Sequence, residues 1–383
     1  MTNQREDDVS ASTPAPTTAT GRMAALTIRK KKHAPLPPEP TYPYELWGKT
    51  VHLGIPPDKF PSKEEIEQLE SEMPACQHGW FESCSQQKQL HFRKFMPLSG
   101  EEPKAIVVFH HGIQDHSGDA MIAKDGRKLG RAAMIDYFVT KNGYALYAMD
   151  QLGHGYSEGR RMFLEDYKFA VSDFIAFTHL VASDHHDSTP IFLSGHSFGG
   201  CLALHAAHAF QTDPSTAPSE FRGLVLFAPA IVGDVPPFPI TQILRYILAP
   251  RYPTWVPFFM PNPISPDRIW ADPEVLARHV NDRHLEIGLD ALGLPFSLGT
   301  AVQLLTGLED VRAIIPSLTV SFCVVHGTRD YGVSVEGTKF LEQKTQSTDK
   351  KVLLLEGAYH DLLCDPRMDD AMNFAVSYLE ERR

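Results

Sequence analysis

The pentapeptide Gly195-His196-Ser197-Phe198-Gly199 places a serine between an apolar run, Pro190 to Ser194, and an alanine-rich run, Gly199 to Phe210. The first run predicts a buried strand and the second a helix, so Ser197 falls on a sharp strand-to-helix turn. On such a turn the hydroxyl projects above the sheet and the glycines remove side chains that would collide there. The amides of the helix N-terminus favour developing negative charge. Gly and Ser are common, and the five residues alone are a weak signal. The strand before them, the helix after them and Gly200 make Ser197 the expected nucleophile.

A serine hydroxyl attacks poorly at neutral pH unless a base takes its proton, and that base needs an orienting carboxylate. His360, in EGAYHDLL, follows the apolar run Lys351 to Glu356, and Asp330, in HGTRDYGV, follows Leu318 to His326. Both fall at the carboxyl ends of predicted strands, where a parallel α/β sheet carries its site. Of the competing acids, Asp310 precedes its strand, Asp361 adjoins His360 too closely to orient the ring, and Asp365 is at most a secondary contact. A tetrahedral intermediate also needs two N–H donors. Phe198 supplies one, and Ile113 supplies the other from HHGIQDHSG, the loop after Ala105 to His110. In that loop His111 and Gln114 are candidate substrate-binding side chains. The constellation implies ester cleavage through an acyl-enzyme.

His110, His111 and His116 match the count of a catalytic zinc site, but a strand-end turn sets no coordination spacing, and the serine constellation accounts for the chemistry. No metal and no cofactor are expected. The formal net charge of -11 weighs against nucleic acid as a partner and favours a neutral substrate. Five scattered cysteines without a C-x-x-C pair read as reduced thiols. Glu6, Asp7 and Asp8 and the lack of a continuous apolar stretch argue against a secretory or transit peptide, and no run reaches the roughly 20 apolar residues of a membrane span.

The elements that must position these groups alternate. Strands are expected at Leu90 to Phe95 (an edge strand), Ala105 to His110, Tyr144 to Asp150, Pro190 to Ser194, Gly223 to Ala228, Leu318 to His326 and Lys351 to Glu356. Helices are expected at Lys63 to Met73, Lys128 to Asn142, Met162 to Ala182, Gly199 to Phe210 and Val335 to Lys344. The pattern predicts a mostly parallel sheet with helices on both faces. Residues 1–40, rich in Ser, Thr, Ala and Pro, read as a disordered tail. Its basic cluster Arg29 to His33, running into Pro35, Pro37, Pro38 and Pro40, is a solvated linker or a weak membrane-surface or partner contact. The core is expected at 41–228 and 317–383. Residues 229–316, with many prolines and aromatics and short helices at Thr241 to Leu248 and Asp272 to His279, form an insertion placed to cap the site.

With these residues in view, the chain resembles the monoacylglycerol lipases and lysophospholipase-like relatives among the α/β-hydrolases, whose Ser, Asp, His order it shares. The likeness rests on FHHGIQDHSG, YALYAMDQLGHGYSEGRRM with Asp173 and Phe174, LSGHSFGG, VVHGTRDYGV and LLEGAYHDLL. The segment from Asp150 to Gly159 is the most distinctive, because catalysis alone does not require it. The resemblance implies a single-chain lipid ester as substrate, most simply a monoacylglycerol. It assigns Asp115 to a glycerol hydroxyl and gives the cap an apolar face that touches membrane. The expected location is the cytoplasm, with peripheral contact to membranes or lipid droplets. Gln114, in place of a small residue, and Asp119, in place of a basic one, depart from the family pattern and leave the head group open. Two alternatives stand beside this reading: another serine hydrolase, such as a lysophospholipase, carboxylesterase or peptidase, and a non-catalytic α/β-hydrolase serving as ligand receptor or scaffold.

Overall fold

A computed structural model of the chain describes residues 73, 75–98, 100–233, 237–257, 266–280 and 295–383, together with the strand backbones of 43–46 and 49–52. The expected tail at 1–40 and nearly all of the expected helix Lys63 to Met73 lie outside the described residues. Strands β1 (Pro43–Leu46) and β2 (Lys49–His52) form an antiparallel hairpin. The main sheet contains β3 (Gln77–Glu82), β4 (Gln89–Phe95) and β5 (Ile106–His110). A short hairpin of β6 (Ala120–Ile122) and β7 (Lys128–Gly130) follows. The main sheet then gains β8 (Ala145–Met149), β9 (Ile191–His196), β10 (Phe221–Phe227), β11 (Phe322–Gly327) and β12 (Lys350–Leu355).

The eight strands run in the order β12-β11-β10-β9-β5-β8-β4-β3, with β4 antiparallel to both its neighbours, β3 and β8, and every other neighbouring pair parallel. The central strands read as unbroken apolar runs because both faces are buried. Alternate residues divide between two cores. Val107, Phe109, Phe192, Val225 and Val325 join one with Ala133, Met372 and Ala375, while Ile106, Val108, Leu193, Leu226 and Val324 join the other with Phe174, Phe177 and Leu202.

The helices are α1 (Arg131–Met134), running on as a π-helical stretch at Ile135–Lys141, then α2 (Tyr167–Ser183) and α3 (Phe198–Thr212). Between β10 and β11 lie α4 (Phe238–Ile243, continued by Leu244–Leu248 and Ala249–Arg251), α5 (Pro273–Val280) and α6 (Leu298–Ile314), with no strand among the described residues. Helices α7 (Glu336–Lys344) and α8 (Met368–Glu380) complete the chain.

Three expectations change. The strand at Leu90 is not an edge: β3, too polar to be read from sequence, pairs outside it. The helix expected from Lys128 begins only at Arg131, because Lys128–Gly130 pairs with β6. The helix expected from Met162 begins at Tyr167, where the Asp166 side chain accepts from the Lys168 N–H and caps the first turn.

Candidate active site

Ser197 separates β9 from α3 with φ 54 and ψ -121, a left-handed backbone that costs a β-carbon residue about 1–3 kcal/mol. The neighbourhood fixes it. Its N–H donates to Phe227 O at 3.0 Å, and its carbonyl accepts from the N–H groups of Gly200 (3.0 Å) and Ala230 (2.8 Å). A β-carbon at Gly195 would lie 2.4 Å from the Gly199 carbonyl carbon, and one at Gly199 only 2.2 Å from His110 O. These two glycines are therefore required by close packing of strand on helix.

Because β5 lies beside β9, the loop after His110 passes over the serine, and a β-carbon at Gly112 would lie 3.1 Å from that of Ser197. Ile113, Ser197, Phe198 and His360 line one cavity of about 310 Å³. The backbone N–H groups of Ile113 and Phe198 have no acceptor among the described residues. The structure thus brings both expected donors to the serine, along with Gln114 and Asp115, which line the same cavity.

The acid and base also meet. His360 Nδ1 donates to Asp330 Oδ2 at 2.7 Å, while Asp330 Oδ1 accepts from the N–H groups of Gly332 (2.7 Å) and Val333 (2.8 Å). His326 Nε2 lies 3.1 Å from the same Oδ2. Burial alone would raise the Asp330 pKa, but the His360 charge and the histidine hydrogen bonds hold it well below the carboxylate range. Burial alone would lower that of His360, but the Asp330 charge and hydrogen bond, helped by Asp361, raise it above its ordinary value. No hydrogen bond joins Ser197 Oγ to the His360 ring among the described residues, an open arrangement common before substrate binds. Of the other acids, Asp310 pairs with the Tyr167 hydroxyl, Asp361 accepts from Trp270 Nε1, and Asp365 accepts from the Tyr359 N–H.

His111 does not reach the cavity, contrary to expectation. It is buried, its Nδ1 donates to Gly112 O at 2.6 Å and its Nε2 accepts from the Gln151 N–H at 3.0 Å. Its work is to fix the loop. Burial keeps it neutral, as it does His110, whose pKa falls to about 4. His116 faces elsewhere, accepting from the Gly118 N–H at 3.0 Å, so these three imidazoles form no common site.

The Asp150 to Gly159 segment acquires a physical role. The Asp150 carboxylate is fully buried and accepts from the N–H groups of Ser117 (2.6 Å) and Tyr156 (3.0 Å), from His91 Nδ1 (2.8 Å) and from Arg93 Nη1 (3.3 Å). A β-carbon at Gly155 would lie 2.2 Å from Asp150 Oδ2, which explains the glycine. Arg93 also donates to Ser117 Oγ. The segment thereby ties the loop over Ser197 to β4 and β8.

Sequence reasoning missed several cavity residues. Arg131, buried at the start of α1 and stacked over Phe109, donates to Asp115 Oδ2 at 2.8 Å. A lone cation within an alanine-rich turn was the only available signal. His279 comes from α5 and Trp270 from just before it, and His279 lies 3.2 Å from Asp119. Burial would lower the His279 pKa, but the Asp119 charge and hydrogen bond raise it to about 10. Nothing local in sequence pairs residues 160 positions apart.

The chain is similar to known proteins over about two thirds or more of its length. Residues 101–367 match the family described as serine aminopeptidase, S33. The monoglyceride lipase of Rattus norvegicus is 31% identical over 72% of this chain and 80% of its own length, and that of Homo sapiens is 32% identical over 68% and 76%. The crystal structure of Paleococcus ferrophilus monoacylglycerol lipase superposes with a TM-score of 0.57 at 21% identity, covering 76% of this chain and 99% of that one. The chain belongs to the S33 family, as a monoglyceride-lipase-like member with the α/β-hydrolase fold. It is an ester hydrolase.

Asp150→Asn removes the charge that faces the buried Arg93 and weakens the hydrogen bonds from His91 and from the Ser117 and Tyr156 N–H groups, which costs on the order of 1–3 kcal/mol. Urea unfolding should show that loss; a variant as stable as the wild type would contradict the clamping role.

Proposed function

We propose that the protein hydrolyses single-chain lipid esters, with monoacylglycerol as the preferred substrate, through an acyl-enzyme on Ser197. The observation that carries this reading is the single cavity in which Ser197 and His360 share walls with Phe296, Leu304 and Leu308 from the segment between β10 and β11. In the proposed cycle His360, oriented by Asp330, takes the Ser197 proton as the hydroxyl attacks the ester carbonyl. The N–H groups of Ile113 and Phe198 hold the oxyanion. His360 then protonates the departing alcohol and activates the water that releases the fatty acid. Relatives named monoglyceride lipase support the substrate class.

The head group follows from charge. Among the described residues, Asp115, Asp119 and Asp361 face the cavity together with the cations Arg131 and His279. This excess of carboxylate disfavours the phosphate of a lysophospholipid and suits a neutral polyol, with the Asp115 carboxylate, oriented by Arg131, accepting from a hydroxyl. The acyl chain takes the apolar wall, where each buried CH₂ contributes about 0.8 kcal/mol, roughly fourfold in affinity. Residues 229–316 act as the cap in this reading. Phe238 is 75% exposed, and Ile240, Ile243, Tyr246 and Ile247 are exposed near it on α4. These side chains form the surface we assign to lipid contact. No described helix is long and apolar enough to cross a membrane.

A panel of 1-monoacylglycerols, lysophosphatidylcholine, short-chain esters and aminoacyl amides tests the assignment. The long-chain monoacylglycerol should show the highest kcat/KM, at least tenfold above the lysophospholipid. Equal or higher turnover of the lysophospholipid would overturn it.

The pH profile tests the base. His360 must be neutral to accept a proton, and Asp330 raises its pKa, so activity should fall on the acid side with an apparent pKa above 6.5. Asp330→Asn removes the raising charge. It should move that limb to lower pH and reduce kcat on the order of 10³- to 10⁴-fold; an unmoved limb would exclude the Asp330–His360 pairing from the reaction.

A further inference from the structure

Four side chains with metal-binding atoms meet beside the cavity, and the reaction proposed above uses none of them as acid, base or nucleophile. Asp119 follows the loop over Ser197, His279 comes from α5, and Asp361 and Cys364 follow His360. One donor atom from each lies within 4.8 Å of the other three. Zinc bonds of about 2.0–2.3 Å in a tetrahedron set donor atoms about 3.3–3.7 Å apart. Side-chain movements of about 1 Å would therefore close the shell, and His279 Nε2 is already 3.2 Å from Asp119 Oδ1.

The His279 tautomer points the same way. Its Nδ1 lies 3.0 Å from Val275 O, which only accepts, so Nδ1 carries a proton. Its Nε2 then faces both Asp119 oxygens, at 3.2 and 3.4 Å. A neutral ring would aim a lone pair at a carboxylate, so a cation belongs on Nε2, either a proton or a metal ion. The surrounding groups supply the outer support that metal sites use. Trp270 stacks on His279 with ring centroids 3.9 Å apart and planes at 18°, and the same indole donates to Asp361 Oδ2 at 2.7 Å. Cys364 is buried and contributes a sulfur donor.

We propose that Asp119, His279, Asp361 and Cys364 form a zinc site in the wall of the cavity, joining α5 to the two loops that flank Ser197 and His360. The donor set selects the metal: thiolate and imidazole suit zinc, whereas magnesium and calcium take oxygen ligands. Charge is also accommodated. Two carboxylates and a thiolate carry -3, a bound dication reduces this to -1, and the neighbouring Arg131–Asp115 pair adds nothing net. Because binding exchanges protons on His279 and Cys364 for one metal ion, bond formation is balanced by proton release to solvent. An occupied site would staple the segment between β10 and β11 to the core and narrow the cavity next to His360. This inference stands apart from the substrate assignment, since metal binding is read without turnover.

The test uses the full chain, reduced and freed of metal with a chelator, then titrated with Co²⁺ as the spectroscopic probe. The wild type should bind one equivalent with intense tetrahedral d–d absorption and a near-ultraviolet sulfur-to-cobalt charge-transfer band, and Zn²⁺ should displace both. Cys364→Ser, folded as judged by circular dichroism, should lose the charge-transfer band, and His279→Gln should weaken binding at least tenfold. Absence of the band in the wild type would overturn the proposal whatever the variants do. So would a band that persists in Cys364→Ser, since it would place the cobalt on another cysteine.

Discussion

The left-handed backbone at Ser197 is the constraint around which the site is built. A residue with a β-carbon holds that conformation only when its surroundings over-determine it, and here three backbone hydrogen bonds and two glycine contacts do so. The same close packing dictates what can lie nearby. With β9 between β5 and β10, the loop leaving β5 crosses the serine, and the next strands, β11 and β12, deliver Asp330 and His360 to the same edge. Sheet order brings three residues spread over 164 positions to one edge, with Ser197 and His360 in the cavity wall and Asp330 buried behind His360.

Holding the loop over the serine is a separate problem with its own solution. A loop that presents a backbone N–H must resist collapse into hydrogen bonds of its own, and the buried Asp150 carboxylate supplies that restraint by gripping the Ser117 and Tyr156 N–H groups, with Arg93 facing its charge and a neutral His91 donating a further hydrogen bond. His111 adds a second anchor through the Gln151 N–H. The polar residues of this segment are thus architectural, while Asp115 with Arg131 and Asp119 with His279 line the cavity.

Much of this was legible in the residues. Continuous apolar runs named the five central parallel strands because burial on both faces leaves them few polar positions, and strand-end placement singled out Asp330 and His360. What escaped did so for identifiable reasons. Strand β3, QHGWFE, alternates exposed and partly buried positions at a sheet edge and lacks an apolar run. Helix α6 carries Gly299 and Gly307, poor helix formers, yet Gly307 packs against Tyr167 and Phe198, where tertiary contact outweighs propensity. His111 turns away from the cavity, and its direction escapes the sequence because at a turn it depends on backbone angles that the letters do not specify. Arg131, His279 and His326 owe their roles to neighbours far away in sequence or to the precise end of a strand.

The central claim is that Ser197 is the residue acylated during turnover. Intact-mass analysis after exposure to a fluorophosphonate ester measures this most directly. The account predicts one adduct per wild-type chain, mapped by peptide fragmentation to Ser197, and none on folded Ser197→Ala. An unlabelled wild type that is folded, or an adduct retained by Ser197→Ala, would contradict it.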